Sequence, residues 1–436
     1  MTSRERVQKA LNHETPDRVP IDFGGFQTGI HRRAYEALVK HLGLREEISI
    51  LDPVQQLAKP SEAVLERFHV DTRYVLAHGP EGFDGTIRKN RRNGRLWHDL
   101  KDEFGVVWSM PGPQKEANRA YFGREEPPSS VLPSQTADRA PTDPSHPFFN
   151  EIEPRDFVEE YRPDSPLSAT GLYMDISHHP LAIASIADLA DYPWPDGSDL
   201  SRFTGVRDQT LTLRKETPYA LATGIAGVVY EYCWYLRGLE RWFMDMVENP
   251  DFCAALLDRT LAFWMDHMTG FLREIGDLVD VVMIGDDLTG QHGPLFSPAF
   301  YRKVVKPRQK RLVQHIKSLT GAKVWYHTCG NCVEYIPDLL DNGVDILNPV
   351  QTSAAGMDPV QLKRQYGRDL VFWGGGCDAQ HILPFGTPGQ VREQVRRNVE
   401  IFTPGGGYIF NGIHNIQADV PPENIVALFD AAYEYG

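Results

Sequence analysis

KVWYHTCG at residues 323–330 and DILNPVQ at 345–351 set the pattern on which the fold turns: apolar, β-branched or aromatic runs ended by polar residues and turn formers. Such a run suits a strand buried on both faces, as in a parallel sheet covered by helices. Outward from these two, the pattern returns in DVVMIGDD (280–287), LVFWGGGC (370–377) and YIFNGIHN (408–415). Toward the N-terminus it returns again in YALATGI (219–225), DTRYV (71–75) and VPIDFG (19–24), which makes eight runs. Between them lie amphipathic stretches such as FYRKVVKPRQKRLVQHIKSL (300–319) and TPGQVREQVRRNVEIF (387–402), the second opened by the helix-start pair Thr387-Pro388. Eight strands with intervening helices predict an α/β protein, a (β/α)8 TIM barrel, with a doubly wound sheet as the other arrangement that counting permits.

A barrel takes about 250 residues, so a chain of 436 carries a surplus. Most of it falls between the second and third strands, which predicts one barrel domain over 1–436 with an insertion at 76–218. Within the insertion, GTIRKNRRNGRLWHDLKDEFGVVWSM (85–110) reads as a β-hairpin turning at Asn93-Gly94. Residues 111–165, rich in Pro, Ser, Asp and Glu, read as an irregular excursion that serves as a lid, an oligomer contact or passive decoration. The triple glycines at 374–376 and 405–407 lack a G-x-G-x-x-G context, so nucleotide binding is not indicated.

With 45 Lys and Arg against 59 Asp and Glu the formal charge is −14, which argues against nucleic acid as the main partner. A hydrophobic share of 41% and a charged share of 24% fit a large packed core. The charged opening MTSRERVQKALNHETPDRVP has no signal-peptide core, and no stretch approaches a membrane span. A cytoplasmic protein with no membrane partner is expected. The five cysteines are too few and too odd in number for a disulfide framework. Cys233 and Cys253 lie in helical patterns and read as small buried hydrophobes.

His327-Thr328-Cys329 ends the fifth run, and residues two apart on a strand point to the same face. Imidazole with thiolate is the donor set that zinc prefers. Cys377 ends the seventh run and His414 the eighth, so in a barrel all of these lie at the C-terminal rim, where active sites are built. Three protein ligands with one open position make a catalytic zinc site. The expected ligands are His327, Cys329 and Cys377, with His414 competing for the third place. Cys332 reads as a bystander thiol. Asp286 and Asp287 end the fourth run as a carboxylate pair fit to orient substrate, to manage a proton or, for one of them, to cap a helix. Gln291, His414, Asn415 and Gln417 are the expected substrate contacts. His178-His179 reads as a solvated pair, and Tyr326 and Trp373 as barrel packing.

GDDLTGQHGPLFSPAFYRKVVKPR, HTCGNCVEYIPDLLDNGVDILNPVQ, LVFWGGGCDAQHIL and GGGYIFNGIHNIQADVPPENIVAL, with RERVQKALNHETPDRVPIDFGG at the start, resemble the uroporphyrinogen decarboxylase-like superfamily. The resemblance covers most of the chain outside 76–218 and implies a (β/α)8 barrel. It implies one of two chemistries. True uroporphyrinogen decarboxylases work without metal and bind substrate carboxylates with an R-Q-A-G-R segment; here the equivalent stretch is GGFQTGIHRRAYEAL, where Arg32 and Arg33 are the nearest basic residues. The methyltransferase branch holds zinc with an H-x-C…C pattern, matched by His327 and Cys329. Its last cysteine lies after the last strand, near His414 here, whereas Cys377 lies one strand earlier. The branch implies a zinc-dependent methyltransferase moving a methyl group between a small methyl ether, methylamine or thiol and cobalamin or a corrinoid protein. The alternatives are decarboxylation of a tetrapyrrole, or tetrapyrrole or corrinoid binding without turnover. A long insertion on a barrel is also compatible with a homodimer.

Overall fold

The computed structural model describes residues 1–112 and 173–436. Seven parallel strands lie side by side in chain order: Thr72–Tyr74, Ala220–Gly224, Val281–Gly285, Lys323–His327, Ile346–Asn348, Val371–Trp373 and Tyr408–Ile409. These are seven of the eight expected runs. VPIDFG forms no strand of its own. It lies instead between the two edges of the sheet: the Phe410 N–H donates to the Pro20 carbonyl, the Asp22 N–H to Phe410, and the Asp71 N–H to Ile21. The sheet is therefore curled, barrel-like, with this segment bonded to both of its edge strands.

Strand alternation sorts the side chains. Ala220, Ala222, Val281, Met283, Trp325, Ile346, Val371, Trp373 and Ile409 face one another as an inner cluster, in which Trp325 and Trp373 stack at 4.5 Å. Val7, Ala10 and Leu11 of the helix Ser3–Leu11 join that cluster. The intervening residues, among them Val282, Ile284, Val324, Tyr326, Leu347 and Phe372, pack outward against the helices. Burial on both faces is what the unbroken apolar runs require.

The helix Pro388–Phe402 starts where Thr387 and Pro388 predict, with Thr387 and Gln390 forming a capping box. The stretch 300–319 is less regular than its periodicity suggests. It is divided into Pro298–Phe300, a π-helical turn Tyr301–Val305 and the α-helix Lys306–Leu319. Pro307 has no N–H to donate back into the preceding turn, which accounts for the break.

In the insertion, Arg88–Arg92 and Arg95–Lys101 pair antiparallel about Asn93 and Gly94, both with positive φ (51° and 76°). This is the predicted hairpin. Val107–Pro111 and Asp175–His178 extend it to four strands. His178 thus belongs to a strand, and His179 Nδ1 bonds the Tyr235 carbonyl at 2.7 Å, so the pair is built into structure and is not merely solvated. A three-stranded antiparallel sheet of Ile30–His31, Leu57–Lys59 and Ser49–Asp52 was not legible in the sequence. The excursion expected over 111–165 lies, from residue 113 on, outside the described residues. Among the described residues no helix is long and apolar enough to cross a membrane.

Candidate metal centre

His327 ends its strand on the inner face, in the same alternation as Trp325. Its cross-strand neighbour is Gly285. A Cβ there would stand 2.3 Å from the His327 carbonyl oxygen and 2.7 Å from its Cβ, so only glycine admits the imidazole's strand at this distance. On the other side His327 is in register with Asn348. The Asn348 Nδ2 donates to the Trp373 carbonyl at 2.9 Å, which turns its Oδ1 toward His327 Nδ1 at 2.5 Å. Nδ1 must then carry the proton, and the Nε2 lone pair is presented to the mouth.

There Nε2 lies 3.4 Å from Cys329 Sγ. His414 completes the group: one ligand atom from each of His327, Cys329 and His414 lies within 4.8 Å of the others. The two imidazoles meet edge to face at 5.3 Å. His414 has a left-handed backbone, φ 66°. Its neighbour Asn415 holds that turn, accepting from the Gly29 N–H at 2.7 Å and donating to the Phe26 carbonyl and Gln55 Oε1, each at 3.0 Å. The strain of a non-glycine left-handed residue is thus offset by bonds to the 25–31 segment.

Two neutral imidazole nitrogens and a sulfur converging without a protein cation among them fit a borderline-soft divalent ion such as zinc. Burial pushes the His327 imidazole down to about 4, against the raising influence of Asn348. Burial and the neighbouring His327 take His414 to about 4 as well. Both are neutral donors at physiological pH. Burial, then the Asp287 and Glu231 carboxylates, push the Cys329 thiol up. A metal is therefore needed to hold it as thiolate.

Cys377, the expected third ligand, is not in this group. Gly374 and Gly375, with φ 128° and 68°, turn the chain after Val371–Trp373. The Cys377 thiol then donates to Gln394 Oε1 at 3.0 Å, on the helix Pro388–Phe402, and is fully buried. Of the two candidates for the third place, His414 is the one that stands beside His327 and Cys329 in this structure.

The carboxylate pair divides by the same alternation. Asp286 turns outward and is fully buried: it accepts from the N–H groups of Tyr230 (2.8 Å) and Glu231 (3.0 Å) and from Gln309 Nε2 (3.0 Å). It caps the helix Glu231–Arg237, a structural role, and burial pushes its carboxyl up to about 6. Asp287 turns toward the mouth and accepts the Cys329 N–H at 2.7 Å. Gln291 is exposed, accepting from Gln351 Nε2 at 2.9 Å. Asn415 and Gln417 spend their amides inside the protein, Gln417 Nε2 donating to the Tyr173 hydroxyl at 3.0 Å and the Asn415 carbonyl at 2.9 Å.

Three residues escaped the sequence reading. Asn348 ends the run next to His327, and its strand parity was the signal that could have found it. Gln351 accepts the Gly330 N–H at 2.8 Å and so shapes the loop after Cys329. Glu231, buried on a helix, announces itself by no motif.

A family model described as Uroporphyrinogen decarboxylase (URO-D) matches residues 173–435. A uroporphyrinogen decarboxylase of Pseudomonas fluorescens is 24% identical over 280 residues, covering 61% of this chain and 73% of that protein. One from Thermus thermophilus is 27% identical over 223 residues, covering 49% and 59%. Among solved structures, a methyltransferase from Methanosarcina mazei superposes with a TM-score of 0.58 at 16% identity, over 100% of this chain and 99% of that one.

Proposed function

Since the chain belongs to the uroporphyrinogen decarboxylase (URO-D) family, we propose that within it this protein is a zinc-dependent methyltransferase, moving a methyl group between a small methylated substrate and cobalamin or a corrinoid protein. The observation that carries this is the convergence of His327, Cys329 and His414 at the C-terminal end of the parallel strands. We read the curled sheet with its bridging segment 19–22 as a complete (β/α)8 barrel, whose C-terminal rim is the expected place for chemistry. The whole chain then forms one domain, with 76–218 shaping access to the mouth.

Zinc held by these residues would act as a Lewis acid toward a reacting sulfur, oxygen or nitrogen of the substrate. The remaining work falls to the chain. Asn348 fixes the His327 tautomer, so that Nε2 is the donor. Asp287 holds the Cys329 backbone, and Gln351 holds Gly330 one residue on. Together they fix where the thiol points. Trp325 and Trp373, stacked beneath His327, close the interior below the mouth. A reduced Cys329 suits a cytoplasmic setting.

A second reading, metal-free decarboxylation, has the relatives' names in its favour. Against it, the Asp287 side chain accepts the Cys329 N–H at the mouth, and a carboxylate in that place would repel a polycarboxylate. Arg32, in the segment where the decarboxylase motif would stand, is buried and paired with Glu36 at 3.0 Å.

The test is metal content by elemental mass spectrometry, followed by methyl transfer to Co(I) cobalamin from a panel of methyl donors. Wild type should carry about one zinc per chain, and His327→Ala and Cys329→Ala should lose both metal and transfer. A wild type that neither holds zinc nor takes it up would overturn the proposal in favour of the decarboxylase reading.

A further inference from the structure

The wall of the mouth on the side of His414 carries a hydrogen-bond donor that the metal group does not use. Ile30 bridges Ile416 in parallel, the His31 N–H donating to the Ile416 carbonyl and the Ile416 N–H to that of Gly29. Gly29, His31, Asn415 and Gln417 therefore share one face of this pair of segments, opposite the core-facing isoleucines. Tyr173 lies over that face. Its ring is parallel to the His31 imidazole, with 9° between planes and 6.4 Å between centroids. Its hydroxyl accepts from Gln417 Nε2 at 3.0 Å and from Asn415 Nδ2 at 3.4 Å. Both amides are fixed as donors: Asn415 Oδ1 is taken by the Gly29 N–H, and Gln417 Nε2 also donates to the Asn415 carbonyl, which would repel an oxygen in its place. His31 Nδ1 accepts the Arg33 N–H at 3.2 Å, so its Nε2 carries the proton and cannot accept one. The Tyr173 O–H proton thus has no acceptor among the described residues.

The surroundings of that hydroxyl decide what can take its proton. Tyr173, His414 and Cys329 are each partly exposed, and Asn415 joins the first two, so the hydroxyl borders the opening in which the metal ligands converge. Burial pushes the hydroxyl up against the influence of the two amides, and Asp52 and Cys329 are the ionisable groups that act on it. Asp52 spends its carboxylate on the Val54 N–H and Gln55 Nε2. Since none of these groups is cationic, a carboxylate or sulfonate on the substrate would find no counter-charge here. An alkylammonium has no lone pair to offer an O–H, and a thioether sulfur is a weak acceptor. A neutral oxygen is the acceptor that fits.

We propose that Tyr173 is a hydrogen-bond donor to the substrate, and that the substrate is a neutral methyl ether whose oxygen takes the free O–H. This rests on the methyltransferase reading. In that reaction the bond from the methyl carbon to oxygen breaks and its electron pair stays on oxygen, while Co(I) supplies the pair for the new bond and becomes methyl-Co(III). Negative charge develops on the oxygen that Tyr173 meets, so a donor already in place there favours the transition state over the ether itself. The released alkoxide takes its proton from water, and Tyr173 keeps its own.

Binding can be measured without turnover, by ligand-observed NMR titration of two pairs that differ only in an oxygen or a methylene before the terminal methyl. The pairs are 4-methoxyphenol against 4-ethylphenol, and 2-methoxyethanol against butan-1-ol. Zinc content is measured on the same samples. Wild type should favour the ether of at least one pair by about two- to tenfold, the range of one neutral hydrogen bond. Tyr173→Phe keeps the ring over His31, and in it that preference should fall to unity while the methylene compound binds as before. Wild type that is indifferent to the oxygen in both pairs or binds none of the four, or a preference that survives in Tyr173→Phe, overturns the assignment; where that protein carries zinc, the methyltransferase reading stands without it. Zinc-free protein whose ether preference depends on Tyr173 keeps the donor and removes that reading instead. The comparison of ligands on wild type needs no variant to fold.

Discussion

The loop after Lys323–His327 and the loop after Val371–Trp373 begin alike: each leaves a parallel strand buried on both faces and carries a cysteine within four residues of the strand end. In the first, Cys329 follows His327 by two residues and stays near the inner face, 3.4 Å from His327 Nε2. In the second, left-handed glycines at 374 and 375 carry Cys377 out to Gln394, between sheet and helix. Strand parity is a reliable guide to side-chain direction only as far as the strand runs. Beyond it the φ angles of the loop decide, and a thiol four residues on has lost the memory of its strand.

The largest expected effect follows from that difference. His327→Ala, Cys329→Ala and His414→Ala should each abolish stoichiometric zinc, whereas Cys377→Ala should retain it and lose about 1 kcal/mol of stability with its hydrogen bond. Metal content and thermal melts on the four variants separate the two loops. Retention of zinc by His414→Ala together with its loss in Cys377→Ala would reverse the comparison and imply that Cys377 leaves Gln394 when metal binds.

Next in size is the support behind His327. Removing the acceptor in Asn348→Leu frees the imidazole to flip or change tautomer, and zinc affinity should fall by about 10–100-fold. Asn348→Asp keeps an acceptor for Nδ1 and should stay closer to wild type. Competition with a chelating dye reads both. Equal affinities in Asn348→Leu and wild type would mean that packing alone orients the ring.

Asp286 and Asp287 sharpen the same contrast one strand away. Asp286→Ala leaves the Tyr230 and Glu231 N–H groups without their acceptor and should cost about 2–4 kcal/mol in urea denaturation. Asp287→Asn, at the partly exposed mouth, should change stability by less than about 1 kcal/mol. A reversed order would mean that the pair had been assigned the wrong way round.

These comparisons also mark what was legible in advance. Seven strands were readable because unbroken apolar runs such as Val281–Gly285 require burial on both faces. The hairpin was readable because Asn-Gly at 93–94 tolerates two positive φ angles. VPIDFG was readable as extended chain but not as a mere bridge, since its Pro20 gives the ladder no donor. His327 and Cys329 followed from parity, and so could Asn348 have done. His414 remained one of two alternatives, because its left-handed turn is set by Asn415 reaching back to Gly29, a contact 386 residues away in sequence. Glu231 was beyond reach for the same reason: a helical glutamate acts on a strand-end cysteine only through the fold.

The smallest effect tests whether the mouth's histidines differ from those of the helical shell. His267, on the helix Pro250–Ile275, sits among Phe203, Phe263, Trp264 and Phe271 with Nδ1 lacking a partner among the described residues. Burial, with Arg202 nearby, holds its imidazole down to about 4. A histidine whose folded pKa lies below its unfolded value of about 6.5 takes up its proton first in the unfolded chain. Its contribution is therefore neutral above pH 6.5 and increasingly destabilising as pH falls toward 4. His267→Phe removes that titration. The variant should match wild type at pH 7.5 within about 1 kcal/mol and gain on it by about 2 kcal/mol at pH 5. His327 and His414 are depressed to the same value, but there a metal would compete with the proton, so added zinc should flatten the acid loss at the mouth and leave the His267 difference unchanged. Melts at pH 5 and 7.5, with and without zinc, read both; a pH-independent offset for His267→Phe would show that the ring matters for its shape and not for its charge.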